Sequence, residues 1–542
     1  MEITMKKILI VGGVAGGASA AARLRRLDEK AEIILFERGE HISFANCGLP
    51  YFIGEEITDK RQLTLQTPES FHRRFNIDVR IFSEVISIDK EGKTVTVKNH
   101  QTHETYTESY DKLILSPGAE PIRPNIEGIN SHKVFTLRNI PDTFKIKDYI
   151  EKNRSKSVAI VGGGFIGVEM AENLHAIGLK VTIIEMQEQI LPPLDYDMVC
   201  DVHNYLQHKG ITLILKNGVQ SIVDQGDALT IKLSEGEINA DLLIMAIGVR
   251  PESSLARDSG LELDPRGHIS VNDSMETSHL DIYAVGDAIG PIPLAGPANK
   301  QGRIVADVSY GLDNHYIGTQ GSAILKVFDM TIASTGINEK TAKRLGLDYD
   351  KSFTYSANHA TYYPGATYMS IKTLFEKNTG LILGAQIVGF DGVDKRCDVF
   401  ATAIYGKMTA FDLAKLELSY APPYSSAKDP VNMAGFVIEN ILTGKVHHFH
   451  WHDVENLPHD GSVTLLDTRS QGEYTGGRID GFINIPLDEL RERLNELDKD
   501  KPIYLTCQIG LRGYLAARIL MQNGFEVYNL SGGYRLYRSI FS

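Results

Sequence analysis

Val158-Ala159-Ile160-Val161-Gly162-Gly163-Gly164-Phe165-Ile166-Gly167, continued by a helical stretch and then by Val181-Thr182-Ile183-Ile184-Glu185, decides the fold. An apolar β-branched run that flows into G-x-G-x-x-G, a helix and a second strand closed by an acid is a dinucleotide-binding βαβ unit. Gly162, Gly164 and Gly167 hold the three pattern positions and let a pyrophosphate approach the helix N-terminus. Glu185 is placed to accept from a ribose 2'-hydroxyl and to repel a 2'-phosphate, and Met186 and Gln187 bring no positive charge. NADH is therefore expected over NADPH, with NADPH as the alternative.

The same device stands at the start of the chain. Residues 6 to 11 read as a buried strand, followed by Gly12-Gly13-Val14-Ala15-Gly16-Gly17, a helix to about Leu27, and a strand from Ile33 to Phe36 ending in Glu37. Val14 occupies the place of the second pattern glycine. A Gly-rich turn alone can be only a tight turn, but here strand, helix and acid accompany it, so Gly12, Gly13, Ala15, Gly16, Gly17 and Glu37 are expected to bind a second dinucleotide. Two such folds suggest one bound flavin and one diffusible nicotinamide. A third signature, Thr277 to Asp287, reads as a short strand ending in an aspartate able to bond the ribityl chain of FAD. Tyr110 to Ala119 and Leu242 to Pro251 look like the exit from, and return to, the flavin domain. The expected order is FAD-binding domain 1–113 and 250–322, NAD(P)H-binding domain 114–249, a third domain 323–445, a linker 446–458 and a last domain 459–542.

Composition narrows the class. A chain of 542 residues accommodates roughly three or four domains. The net charge of −13 and the lack of a long basic run exclude nucleic acid as an expected partner. No apolar run of about 20 residues and no cleavage-type segment is present, so no membrane partner is expected and the cytoplasm is the expected location. The 4 scattered cysteines make no disulfide framework and suit a reducing compartment.

One of them, Cys47, lies in Ser43-Phe44-Ala45-Asn46-Cys47-Gly48-Leu49-Pro50-Tyr51. A free cysteine is often a small buried hydrophobe, but this one sits in a polar, Gly- and Pro-punctuated setting rather than an apolar periodic run. It reads as a lone redox thiol beside the flavin. Cys200 and Cys397 lie in helical patterns and read as structural.

With these motifs in place, residues 1 to about 445 resemble the two-dinucleotide-binding disulfide oxidoreductases. Most of that family carries C-x4-C, whereas the residue five positions after Cys47 is Phe52. The oxidised form would then be a sulfenic acid or a mixed disulfide with an outside thiol. Ser-Phe-Ala-Asn-Cys-Gly-Leu-Pro-Tyr is similar to the coenzyme A disulfide reductase branch, whose single cysteine cycles through a Cys-S-S-CoA bond. Single-cysteine NADH oxidases and peroxidases share Ser-Phe and Cys-Gly but lack the Gly-Leu-Pro-Tyr sequel. The resemblance implies FAD, NADH and coenzyme A as ligands. It also implies a substrate channel of Ser19, Arg23, Arg26, Ser43, Asn46, Asn299, Asn358 and Lys428. Ser19, Arg23 and Arg26 share one helix face, where a solvated surface is the competing reading. Phe75 stands where some relatives have a lysine. Residues 323–445 resemble the family's dimerisation domain, which implies a homodimer, with Tyr362 and Tyr420 reaching the sulfur from the other chain. A phenol can protonate a leaving thiolate.

The end of the chain is a separate small α/β unit. Strand Thr464 to Asp467, strand Ile503 to Thr506 and a helix from Gly513 to Asn523 surround Cys507-Gln508-Ile509-Gly510-Leu511-Arg512. A loop of this form at a helix N-terminus makes an anion cradle of N–H groups and Arg512 that lowers the thiol pKa. It resembles a single-domain rhodanese carrying sulfane sulfur as a Cys507 persulfide. Cysteine phosphatases use the longer C-x5-R. His447, His448, His450 and His452 precede this unit without the spacing of a closed zinc site, so they read as a polar linker and no metal is expected.

The expected fold class is thus α/β, with two Rossmann-like domains for FAD and NAD, an α+β dimerisation domain and a C-terminal rhodanese domain. The expected function is reduction of CoA persulfide, polysulfide or CoA disulfide by NAD(P)H through FAD and Cys47, with Cys507 carrying sulfane sulfur. The alternatives are an NADH oxidase or peroxidase, or a redox or sulfur sensor. The expected partners are small-molecule thiol substrates.

Overall fold

The computed structural model describes residues 6–290 and 292–541. They divide into two compact units: one runs through Glu188 and resumes at Ile211–Thr319, and the other joins Gln189–Gly210 to the chain from Gln320 onward.

The first unit holds two parallel sheets of five strands. In one the order is Ile282–Ala284, Lys112–Leu115, Lys7–Val11, Glu32–Phe36 and Asp78–Arg80. Its central strand is apolar from Ile8 to Val11 because both faces are covered. Ile8 and Ile10 point into one core with Ala21 and Leu24 of helix Ala15–Leu27, while Leu9 points into the other with Val97 and Leu115. Each fully buried aliphatic side chain contributes about 1.5–3 kcal/mol. The helix ends on the buried Arg25, which donates to the carbonyls of Asp28, Glu29, Ala31, Phe75 and Asn76 and so satisfies a helix terminus and its following turn. The second sheet runs Thr212–Ile214, Lys180–Ile184, Ser157–Val161, Leu242–Met245 and Val134–Thr136. Strands Ala119–Pro121 and Val249–Pro251 pair antiparallel where the chain leaves the flavin fold and where it returns.

Two details differ from the sequence reading. The strand of the third signature ends at Ala284, and Asp287 lies beyond it in the 3-10 turn Gly286–Ala288. Helix Tyr196–His208, expected inside the nicotinamide fold, belongs to the second unit. There its Met198, Val199 and Val202 are buried, and Lys372 of the second unit's sheet donates to its Asp197.

In the second unit an antiparallel sheet is ordered Ala323–Val327, Met330–Gly336, Ile382–Gly389, Tyr368–Glu376 and Tyr349–Ala357. Helices Val393–Tyr405 and Pro430–Leu442 pack on it around Phe375, Ile387, Phe400 and Ile438. Between these two helices lies the short helix Ala410–Leu413, followed by a loop with Pro422 and Pro423 that runs up to Pro430.

The final sheet is wholly parallel, in the order His447–Phe449, Val527–Leu530, Ile503–Thr506, Thr464–Asp467 and Ile483–Asn484. The stretch read as a polar linker is therefore the edge strand of this sheet, with His447 opposite Tyr528, His448 opposite Asn529 and Phe449 opposite Leu530. Val446 and Phe449 are buried in the cores of this last domain. A strand of three residues with two histidines carries too little apolar periodicity to be read from sequence.

Candidate active site

The two Gly-rich turns are built alike. Gly12 and Gly162 have φ of 97° and 108°, and a Cβ on them would lie 2.1 Å from the Ser116 carbonyl oxygen and 2.3 Å from that of Ala246. A side chain is excluded on both counts. A Cβ on Gly17 or Gly167 would fall 1.9 or 2.0 Å from the oxygen of Gly12 or Gly162, so these glycines allow the helix to lie against its strand. At Gly164 nothing lies within 4 Å, which leaves the space a pyrophosphate needs. The acids match as well. Gly13 N–H donates to Glu37 (3.1 Å) and Gly163 N–H to Glu185 (2.8 Å), while the second oxygens take Gly39 N–H (2.9 Å) and Gln187 N–H (2.8 Å). Each carboxylate keeps lone pairs for ribose hydroxyls. The residues of both turns thus fit bound dinucleotides. Met186 is exposed, and no cation neighbours Glu185 in an ion pair among the described residues.

Cys47 sits in the 3-10 turn Asn46–Gly48, which leads into helix Leu49–Ile53. Leu49, Pro50 and Ile53 are buried and anchor the turn, while the thiol is exposed. The other three cysteines are buried. The protein raises the Cys47 pKa, first through the desolvating walls around the sulfur and then through the charges of Glu169 and Asp287. Asp287 comes from the flavin fold and Glu169 from helix Phe165–Ala176 of the nicotinamide fold, so the thiol faces both. Burial, aided by Glu172, pushes Glu169 itself up to about 7, and burial likewise raises Asp287. The Asp287 carboxylate makes no hydrogen bond to the protein among the described residues, as suits an acceptor kept for a ligand hydroxyl. Glu169 had no sequence signal beyond its place seven residues after the first glycine.

The expected substrate-channel residues fare differently. Ser19 Oγ–H donates to Asn299 (2.7 Å), bringing helices Ala15–Leu27 and Ala295–Ser309 together. Arg23 Nε donates to the buried Asp307 (2.6 Å), which also accepts from Asn314, so this arginine is held in a packed ion pair rather than free on a solvated face. Arg26 and Asn46 are exposed, and Ser43 takes a positive φ of 45° while its N–H donates to Gly13 O. Phe75 packs edge-on against Phe71.

In the second unit Tyr362 and Tyr420 meet through their hydroxyls at 2.8 Å, and both rings are exposed. Lys428 is exposed. Asn358 is a correction: it is buried, donates to Asp391 (2.6 Å) and accepts from Thr367 N–H (2.9 Å). Its amide is spent on shaping the loop that carries Tyr362. Cys200 and Cys397 are buried and pushed up to about 12 by burial, as inert thiols are.

Cys507 is buried at the base of its loop, with Gly510 N–H at 3.1 Å from the sulfur. Burial raises this thiol, and the N–H groups of Gly513, Ile509 and Gly510, with Arg512, act against the rise. The expectation of a lowered pKa is therefore not met, because desolvation outweighs the cradle. Arg512 does not point its fork at the sulfur either. It is held by Glu473 through two bonds of 2.7 and 2.6 Å, and this pair holds Glu473 down at about 2. Arg469, buried and bidentate to Asp467, stacks on Tyr534 at 3.9 Å and buttresses the loop from beneath.

Two parallel dinucleotide folds, a solitary thiol facing carboxylates from both, a C-terminal antiparallel sheet and an appended cysteine loop define a flavin- and nicotinamide-dependent oxidoreductase with a rhodanese-like domain. Residues 6–302 match the pyridine nucleotide-disulphide oxidoreductases, residues 322–430 their dimerisation domain and residues 450–539 the rhodanese-like domain. The chain belongs to the pyridine nucleotide-disulphide oxidoreductase family. It is 40% identical over 443 residues to coenzyme A disulfide reductase of Staphylococcus haemolyticus, covering 80% of this chain and 99% of that one. The structure of reduced Bacillus anthracis CoADR-RHD superposes with a TM-score of 0.97 at 52% identity, covering 99% of this chain and 98% of the other. A NAD-dependent persulfide reductase from A. fulgidus gives 0.91 at 37% identity, with coverages of 98% and 100%.

Proposed function

We propose that the protein reduces CoA persulfide, polysulfide or CoA disulfide with NADH through FAD and Cys47, and that Cys507 carries sulfane sulfur. The observation that supports this best is the exposed Cys47, free of any disulfide and the one cysteine of its compact unit, facing acids from both nucleotide folds. A lone thiol has no internal disulfide to form, so the acceptor it reduces arrives from outside. The relatives named for CoA disulfide and for persulfide share its architecture.

Bound FAD would supply a two-electron path from nicotinamide to sulfur. The Cys47 thiolate attacks the CoA-bound sulfur of the persulfide, breaking its sulfur–sulfur bond, releasing HS⁻ and forming Cys47-S-S-CoA. Two electrons and one proton then return Cys47 to the thiolate and release CoA-SH; CoA disulfide differs only in its leaving thiolate. Burial first, and then the charges of Glu169 and Asp287, raise the Cys47 pKa, so the protein itself opposes thiolate formation. The Tyr362–Tyr420 pair, presented by the partner of a homodimer, supplies the proton to the departing thiolate. Glu185 directs the choice of NADH by rejecting a 2'-phosphate. In this reading the cytoplasm is the site of action.

Mass spectrometry of the protein as purified tests the reading. A Cys47 adduct of CoA mass, removed by NADH, is the expected result. A Cys47 sulfenic acid with oxygen or peroxide turnover exceeding persulfide turnover would replace this reading with an NADH oxidase or peroxidase.

A further inference from the structure

His448 in the edge strand of the rhodanese-like sheet and His450 just beyond its end lie two residues apart in extended backbone and therefore on one face. That face turns away from the rhodanese core, where Phe449 points, and towards strand Tyr349–Ala357 of the antiparallel sheet within the same compact unit. The carboxylate of Asp350 receives both rings: His448 Nε2 lies 3.2 Å from one oxygen and His450 Nε2 lies 3.2 Å from the other. All three residues are largely shielded from solvent, and one donor atom from each lies within 4.8 Å of the other two. Ligand atoms about 2.0–2.1 Å from a tetrahedral zinc sit roughly 3.3 Å apart, close to the 3.2 Å between each imidazole Nε2 and its Asp350 oxygen.

Charge makes the same demand. Among the described residues Asp195, Asp197 and Glu339 are paired with the ammonium groups of Lys351 and Lys372, whereas Asp350 has only His448 and His450 in ion-pair distance. Asp350 is thus a shielded carboxylate with no ammonium or guanidinium in an ion pair among the described residues, a setting in which uncompensated charge is costly. The Nδ1 atom of His450 is buried with no hydrogen-bond partner among the described residues, and its Nε2 faces Asp350.

We propose that Asp350, His448 and His450 bind one Zn²⁺, which clamps the edge strand of the rhodanese-like domain to the dimerisation-type sheet and leaves a fourth position for water. Two imidazoles and one carboxylate are a zinc donor set, and a divalent cation cancels the local charge excess. His447, on the opposite face against the Tyr528 ring, takes no part.

The test uses the full-length protein, stripped with a chelator and titrated with Co²⁺ and then Zn²⁺. The expected result is one equivalent of Co²⁺ with the visible bands of a tetrahedral nitrogen and oxygen site, displaced by one equivalent of Zn²⁺. The bands should persist in His447→Ala and in the Cys47→Ser/Cys507→Ser double variant. They should vanish in Asp350→Asn and in His448→Gln, two independent variants of which one can fail to fold without removing the test. Absent binding, or a thiolate-to-cobalt charge-transfer band lost in the cysteine variant, would overturn the proposal and leave a histidine–carboxylate contact.

Discussion

Glu169→Gln is expected to stabilise the protein at alkaline pH and not at acid pH. The Glu169 carboxyl rises from its ordinary 4.5 to about 7, because burial disfavours its charge and Glu172 repels it. The folded state therefore holds this proton more tightly than the unfolded state. The sign follows: below about pH 4.5 both states are protonated and nothing is lost. Stability declines as pH rises through the interval, and the loss is complete above about pH 7. At 1.36 kcal/mol per pKa unit, the cost is ~3 kcal/mol. A neutral amide of the same shape avoids it. Apparent melting temperatures of the two proteins at pH 4 and pH 8 should differ little at the lower value and by several degrees, in favour of the variant, at the higher. A second readout is chemical. Glu169 raises the Cys47 thiol, so the variant should shift the pH profile of Cys47 alkylation downward. An equal stability difference at both pH values, or an unshifted alkylation profile, would refute the reasoning.

Two further substitutions separate folding from ligand binding. A Cβ on Gly167 would lie 2.0 Å from the Gly162 oxygen, so Gly167→Ala should lower stability by about 1–3 kcal/mol and weaken NADH use, while flavin content is retained. Gly164→Ala meets nothing within 4 Å and should keep the melting temperature while raising the Kd for NADH, measured by stopped-flow flavin reduction. Cys507→Ser should abolish sulfur transfer from thiosulfate to cyanide and leave NADH-driven CoA disulfide reduction within about twofold, since that chemistry needs no persulfide on the loop.

What the sequence made legible were the parts governed by local pattern. Buried parallel strands read as apolar runs, and the glycines at Gly12, Gly17, Gly162 and Gly167 are dictated by backbone approach, so both nucleotide folds could be placed by residue. Pairings between distant residues were not legible. For Arg23 the sequence offers a substrate channel or a solvated face, but its partner Asp307 lies far along the chain, and Arg512 is answered by Glu473. Asn358 enters the expected substrate channel through the resemblance alone, and the hydrogen bonds of its amide to Asp391 and Thr367 have no local sequence signal. The strand at His447–Phe449 is defined by Tyr528 and Leu530, about eighty residues later, and its histidines by Asp350, about a hundred residues earlier.

The most direct measurement is sulfide released from CoA persulfide under NADH by the Cys47→Ser protein, with flavin content and NADH-driven flavin reduction recorded in parallel. The account predicts normal flavin reduction and a fall in sulfide release of at least about 10³-fold. Sulfide release at the unsubstituted rate would contradict it.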